Sequence, residues 1–511
     1  MGAMNWMDRR LAWRLAGVIA IAMLCFFGAG GARAQGCGGV APSVTGGVTW
    51  APVWCQEFNA TVAGPPDGAV WTYDLGNSGF GNNEVETYCG PAGTQNNPAS
   101  CPTTFSTSTA NAYVDGSGHL VIQAINNGGA WTSARMKTQG LQNFQYGRME
   151  ASIELPDTTN QGLWPAFWML GSNINTLPWP ACGETDILEV WSQSVLNGPG
   201  PLGNRSTLHT AATDGSGVQP NGGFTFPAPQ TNSSAFHTYG MIWSANMQQF
   251  YVDNPQQPYY IATASDLKAS DTWPFNLQFF LLLNVAVGGT LGGTPSASTP
   301  NPGILMADYV RQYSGTVSAP ALGNPPAISV KAGATTGNAS SFTPGLAAGS
   351  GFAYFTCDTD APKATCAIST TDPLNTHVVN SNSAETVTAT VSTTANAAAL
   401  PLTAKPRKPA RGQNQVAAAI SAALAMLFYL LKRRNGEGAR LYAWGFAAGF
   451  ALLVAAIAGC GGDSGGTVIA ASDGTPPGVY AVHVYAFTET NTSDGTNAHA
   501  DAQVAIPLTV N

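Results

Sequence analysis

Between residues 42 and 315 no stretch sustains the 3.6-residue hydrophobic period of a long amphipathic helix. The segment is instead a succession of short, aromatic-rich alternating runs, separated by Gly, Asn and Pro. Examples are Gly118–Ala124, Tyr146–Ile153, Phe250–Asp253 and Phe279–Val285, the last apolar at nearly every position and so buried on both faces. Such a chain folds as stacked antiparallel sheets, and an all-β sandwich is the expectation. Composition agrees: 59 Gly and 34 Pro supply turns, and only 9% of residues are charged. A formal net charge of −8, without a basic patch in this body, argues against nucleic acid as a partner and leaves neutral polymers open.

Within one of these strand-like runs lies Glu184-Thr185-Asp186-Ile187-Leu188-Glu189, three carboxylates in six positions. Trp164 to Leu170 and Trp179-Pro180 precede it, and Val190-Trp191 follows. Unpaired acids among aromatic rings desolvate at a cost of roughly several kcal/mol each, so their presence points to chemistry. Two carboxyls with separated pKa values are the equipment of glycoside hydrolysis: one delivers a proton, the other attacks or activates water. Outward-facing acids on a half-exposed strand are the alternative, but Glu189 breaks the alternation that Glu184 and Asp186 establish.

Nine ordered blocks extend the pattern across residues 42–315. They are Val53–Asn59, Gly81–Glu84, Trp131–Arg135, Tyr146–Glu150, Trp164–Leu170, Gly183–Glu189, Phe236–Tyr239, Asn284–Gly289 and Asp308–Arg311. With these blocks the chain resembles glycoside hydrolase family 16, and within it the laminarinase-like endo-β-1,3-glucanases. The resemblance implies a concanavalin-like β-jelly-roll with a substrate cleft along one sheet, and a retaining, double-displacement mechanism. It assigns Glu184 as nucleophile, Glu189 as general acid/base and Asp186 as the residue between them. For Glu189 to share the face of Glu184 and Asp186, the strand must carry a one-residue bulge at Ile187-Leu188. The carboxyls must also be drawn together: five extended steps span about 16 Å, whereas retaining pairs stand about 5–5.5 Å apart.

Around the carboxylates, Trp164, Trp168 and Trp179 are candidates for stacking on sugar rings, with core packing as the alternative. Arg135 and Asn83 are candidates for hydrogen bonds to hydroxyls, and His209 resembles the family's cleft histidine. Glu57 and Asp308 resemble positions holding a structural calcium in some relatives; no cofactor is otherwise required. Cys182 and Thr185 depart from the residues relatives often carry beside the nucleophile. The partner implied is a β-glucan polysaccharide, and a monomer is expected. The rival readings are a relative acting on another β-linked polysaccharide or transglycosylating, and a non-catalytic glycan-binding protein; the presence of both glutamates disfavours the last.

The chain at 511 residues is too long for one core. Residues 1–34 read as an export signal: Arg9, Arg10 and Arg14, an apolar Leu15–Phe27, then Ala32-Arg33-Ala34 before Gln35. Export permits disulfides. Cys357–Cys366 and Cys89–Cys101 are favoured because each closes a short loop, and a Cys37–Cys55 pair would leave Cys182 free. Residues 316–327 read as a linker. Residues 328–397 and 467–511 read as two parts of an immunoglobulin-like β module. Between them, Val416–Leu431 and Leu441–Gly459 flank a basic turn and suggest a transmembrane hairpin over 416–459. Two helices buried in a soluble domain, or lipidation at Cys460, are the alternatives. The localisation expected is the cell surface, membrane-tethered or secreted.

Overall fold

A computed structural model describes residues 37–45, 47–211, 220–267, 271–395 and 474–511. The export signal, the 416–459 hairpin and Cys460 lie outside the described residues. Apart from one four-residue α-helix, Gly289–Gly292, and short 3₁₀ turns, every described element is a strand. No helix among the described residues is long and apolar enough to cross a membrane.

Two sheets form the jelly roll. The larger has eleven strands, and its main path runs from Tyr260–Thr263 through Met247–Val252, His237–Ser244, Gly147–Glu154, Gly303–Thr316, Leu120–Asn127 and Ala130–Ser133 to Thr87–Tyr88. The smaller has seven, in the order Asn221–Thr225, Gly203–His209, Glu184–Glu189, Leu163–Gly171, Phe279–Val287, Arg135–Lys137 and Thr72–Asp74. Strand alternation assigns the faces. Phe167, Met169, Ile187, Leu188, Leu208, Leu281, Leu283 and Val285 turn into the common core with Met149, Ala151, Met241 and Phe250 of the larger sheet. On the opposite face of the smaller sheet, Ala166, Trp168, Leu170, Phe280 and Leu282 form one apolar group and Trp164, Trp191 and Ala286 another. The apolar run of Phe279–Val287 is therefore buried on both faces, as its sequence requires.

Residues beyond 316 build a second β module of two sheets, with five and three strands. Its Phe352–Thr359 strand pairs antiparallel with Gly478–Thr488, joining segments on either side of the 396–473 stretch. Three disulfides form, Cys37–Cys55, Cys89–Cys101 and Cys357–Cys366, and Cys182 is free and buried.

Residues 316–327 pack where the sequence suggests a free linker: Ala321 exchanges two backbone hydrogen bonds with Gly345, and Leu322 is buried in the second module. The second module also joins the jelly roll. Phe352, Tyr354, Val378, Tyr485 and Phe487 belong to the same apolar cluster as Ala245 and Met247. Tyr146 Oη donates to Ser493 O at 2.5 Å, Asn246 Nδ2 to Gly495 O at 2.7 Å, and Ala245 N to Asn491 O at 2.9 Å. These contacts come from residues some 250–350 positions apart, which is why no local pattern announces them.

Candidate active site

The carboxylate strand Glu184–Glu189 lies between the tryptophan strand Leu163–Gly171 and the histidine strand Gly203–His209. Against the tryptophan strand, Trp168 faces Asp186 and Phe167 faces Leu188, so Ile187 is the extra residue of a bulge. Against the histidine strand, Asp186 faces Thr207 and Glu189 faces Arg205, three steps opposite two. One inserted residue shifts the parity, and Glu189 returns to the face of Glu184 and Asp186 while Ile187 and Leu188 both enter the core.

Each carboxyl has a defined partner. Trp179 Nε1 donates to Glu184 Oε2 at 2.8 Å, and Trp164 Nε1 donates to Glu189 Oε1 at 2.9 Å. His209 Nε2 stands 3.1 Å from Asp186 Oδ2 and 3.6 Å from Glu184 Oε1. Burial raises all three carboxyls above the usual range. For Glu184, pushed up to about 8, the Asp186 charge adds to burial, while His209, Arg135 and the Trp179 indole favour the anion. Burial likewise raises Asp186. Glu189 is pushed well up by burial and then by the charges of Asp186 and Glu184, with His209 and the Trp164 indole opposing. At neutral pH such a group retains protons, shared among neighbours. Burial thus favours the proton-holding form that a general acid needs, while His209 and Arg135 oppose it at Glu184.

The three tryptophans divide. Trp164 and Trp168 are each only 9% exposed, whereas Trp179 is 52% exposed. Trp179 is the open aromatic platform; Trp164 serves Glu189 directly, and Trp168 packs beneath Arg135, whose guanidinium lies 4.6 Å from its ring centre. Arg135 also pairs with Asp74 at 2.9 Å. Asn83 is exposed on a loop with a left-handed φ of 60°, and makes no described contact with the carboxylates.

The calcium expectation does not fit these residues. Both Glu57 oxygens accept from Arg311 at 2.7 Å, and a guanidinium on both oxygens makes a carboxylate a poor cation ligand. Asp308 is exposed at a bulge of its strand. Among the described residues, the cluster with ligand-like spacing is Glu184, Asp186 and His209, the site itself.

Several contributors escape sequence reasoning. Trp168 Nε1 donates to Asn284 Oδ1 at 2.8 Å, and Asn284 Nδ2 reaches Tyr88 Oη at 3.4 Å. Behind them Glu86, pushed up to about 7 by burial, accepts from the Val287 amide. Asn204 and Ser206 contact the bulge, and Tyr259 contacts both of them. Asn284 stands within a recognised block, but nothing local marks the others as parts of one site.

The sequence model of "Glycosyl hydrolases family 16" matches residues 101–299. A β-glucanase of Rhodothermus marinus is 33% identical over 277 residues, 52% of this chain and 85% of its own length. The chain belongs to this family. A glucan endo-1,3-beta-glucosidase of Cryptopygus antarcticus is 32% identical over 52% of this chain and 92% of its own length. The solved endo-beta-1,3-glucanase of Pyrococcus furiosus is 32% identical, covering 54% of this chain and 99% of its own, with a TM-score of 0.45. Longer relatives are matched over about a third of their length. As a family 16 member with an intact pair of glutamates, the chain is a glycoside hydrolase.

Proposed function

We propose that this protein is an exported, endo-acting hydrolase of β-1,3-glucans of the laminarin type, working with retention. The observation that carries the reading is the Ile187 bulge, which brings Glu184, Asp186 and Glu189 to one face beside an exposed tryptophan. Glu184 attacks the anomeric carbon as its carboxylate, the form that burial and the Asp186 charge disfavour and that His209, Arg135 and the Trp179 indole support. Glu189 gives its proton to the departing glycosidic oxygen, so the bond to the leaving sugar breaks as the bond to Glu184 forms. Glu189, now a carboxylate, removes a proton from water, which attacks from the face the leaving sugar vacated and breaks the bond to Glu184 on the opposite face, so the β configuration is restored. Asp186 disfavours a second negative charge beside it and, with His209, sets which carboxyl holds the proton. Trp179 offers a stacking surface for a sugar ring.

Three disulfides suit an oxidising compartment, in line with export. A 416–459 hairpin in a membrane would leave both halves of the second, immunoglobulin-like module on one side. The pairing of Phe352–Thr359 with Gly478–Thr488 is compatible with that, since strands parted by a bilayer share no ladder. Cysteine probes test it: external labelling at Thr490 with protection at Asn435 supports the hairpin, and the reverse refutes it.

The test of the activity is hydrolysis of laminarin, lichenan, agarose and carrageenan by the chain from Gln35 onward, with products sized and their anomers followed by NMR. Early release of short β-anomeric oligomers from laminarin is expected. Release from agarose or carrageenan alone moves the substrate to another polysaccharide, initial α-anomers overturn retention, and binding without products leaves the glycan-binding alternative.

A further inference from the structure

A bulge leaves backbone groups that the ladder no longer pairs, and inside a sandwich those groups need partners. Here the partners come from two side chains outside the carboxylate motif, Asn204 and Ser206, and a third, Tyr259, bonds to both of them. Ile187 O accepts from Asn204 Nδ2 at 3.1 Å and from Ser206 Oγ at 3.0 Å. Glu189 N donates to Asn204 Oδ1 at 3.0 Å. Tyr259 Oη lies 2.9 Å from Asn204 Nδ2 and 2.5 Å from Ser206 Oγ. Asn204 and Ser206 are fully buried on the inward face of the histidine strand, where Leu208 joins the core.

The proton directions follow from chemistry. A backbone amide only donates, so Asn204 must present its oxygen to Glu189 and its amide hydrogens to Ile187 O and Tyr259 Oη. Ser206 uses its one proton on Ile187 O, so the Tyr259 hydroxyl donates to Ser206. Every polar atom of the three side chains that faces the bulge has a partner. The network fits a bulged strand: with a regular ladder, the next residue would present its side chain on the other face.

We propose that Asn204, Ser206 and Tyr259 are positioning residues that hold the Ile187 bulge and thereby set where the Glu189 carboxyl stands relative to Glu184. None of the three is on the carboxylate face, so their effect passes through the backbone of residues 187–189. This rests on the reading of Glu184 and Glu189 as the reacting pair. A carboxyl displaced by about 1 Å loses on the order of a hundredfold in rate, with little consequence for substrate binding elsewhere on the face.

The test compares Ser206→Thr with Ser206→Val, two side chains of equal shape that differ by the hydroxyl, alongside Tyr259→Phe. Measurements are kcat and KM on whichever β-glucan the wild type cleaves, the alkaline limb of the pH–rate profile, and hydrogen exchange at the Glu189 amide. The Thr variant is expected to retain most of kcat. The Val variant is expected to fall roughly tenfold to hundredfold in kcat with KM within about twofold, together with a shifted alkaline limb and faster Glu189 exchange. Tyr259→Phe should show the same signature at smaller size, and it decides the matter where both Ser206 variants fail to fold. Equal kcat for Thr and Val, or Tyr259→Phe with unaltered kcat, pH limb and exchange, overturns the clamp. A Glu189→Gln enzyme retaining wild-type turnover would instead refute the reacting pair, while the exchange measurement would still report on the clamp.

Discussion

Two outward faces of the jelly roll carry charges, and they treat them in opposite ways. On the outer face of the larger sheet, Arg148 and Glu150 are 2% and 6% exposed, 3.3 Å apart, and matched one to one. Tyr251 Oη donates to Glu150 at 2.6 Å, and Arg148 lies over the Tyr313 ring at 4.1 Å. On the carboxylate face, three acids crowd together with one imidazole in contact, and the nearby Arg135 is already paired with Asp74. A buried pair of opposite charges matched one to one is structure; a buried group of like charges costs stability and marks chemistry.

The sharpest test of this contrast is catalytic. Glu184→Gln and Glu189→Gln should each lower kcat by about 10²–10⁴ or more while the fold persists. Azide should restore turnover of Glu184→Gly with an inverted product and of Glu189→Ala with a retained one. Losses under about tenfold for both would remove the distinction between the two faces.

Next in size is truncation. A chain ending at Gly315 would uncover Gln249, Ala245 and Met247, which now meet Glu489, Asn491 and the second module's aromatics. We expect insolubility or a much lowered melting temperature, although residues 316–327 read as a linker in the sequence. A soluble truncated chain with native activity and unchanged melting would show the interface to be dispensable.

Arg148→Ala should destabilise by about 3–5 kcal/mol, because it leaves Glu150 buried without its counter-charge; urea unfolding measures it. A loss below about 1 kcal/mol would mean that the outer pair is as frustrated as the site.

Trp179→Ala should weaken substrate by roughly 2–12-fold, the equivalent of one aromatic contact worth about 0.5–1.5 kcal/mol. The reading is KM on long glucans, with kcat falling less.

The last effect has the most telling sign. Glu184 is raised to about 8 in the fold from an ordinary value near 4.5. Its neutral form favours the folded state. That contribution is complete below the unfolded value and is lost as pH climbs through the folded one. Glu184→Gln should therefore melt higher than wild type at pH 8 and nearly level with it at pH 5. A lower melting temperature at pH 8 would show the carboxylate to be stabilising, as on the outer face.

The carboxylate motif, the disulfides and the all-β architecture were readable because each rests on local signals. Residues 184–189 are contiguous, the cysteine loops of Cys89–Cys101 and Cys357–Cys366 are short, and alternation is a neighbour-to-neighbour property. The bulge followed from parity once the family resemblance placed Glu189 on the face of Glu184 and Asp186. Glu57 shows the limit of local motifs: its partner Arg311 is 254 positions away. The tryptophans looked alike in sequence, and only their strands' places separated Trp164 and Trp168, held beneath neighbours, from the open Trp179.

By itself the sequence determined what chemistry must be accommodated: three acids on one strand with aromatic rings around them, and, through its family resemblance, Glu189 on their face. Tertiary structure alone decided how that is supported. Asn204 and Ser206 reach the bulge from another strand, Tyr259 bonds to both of them, and Glu489 reaches Gln249 across 240 positions. Hydrogen bonds act within about 3 Å of space, whatever the distance along the chain. A pattern read along the chain finds the groups that need partners, and folding determines which partners arrive.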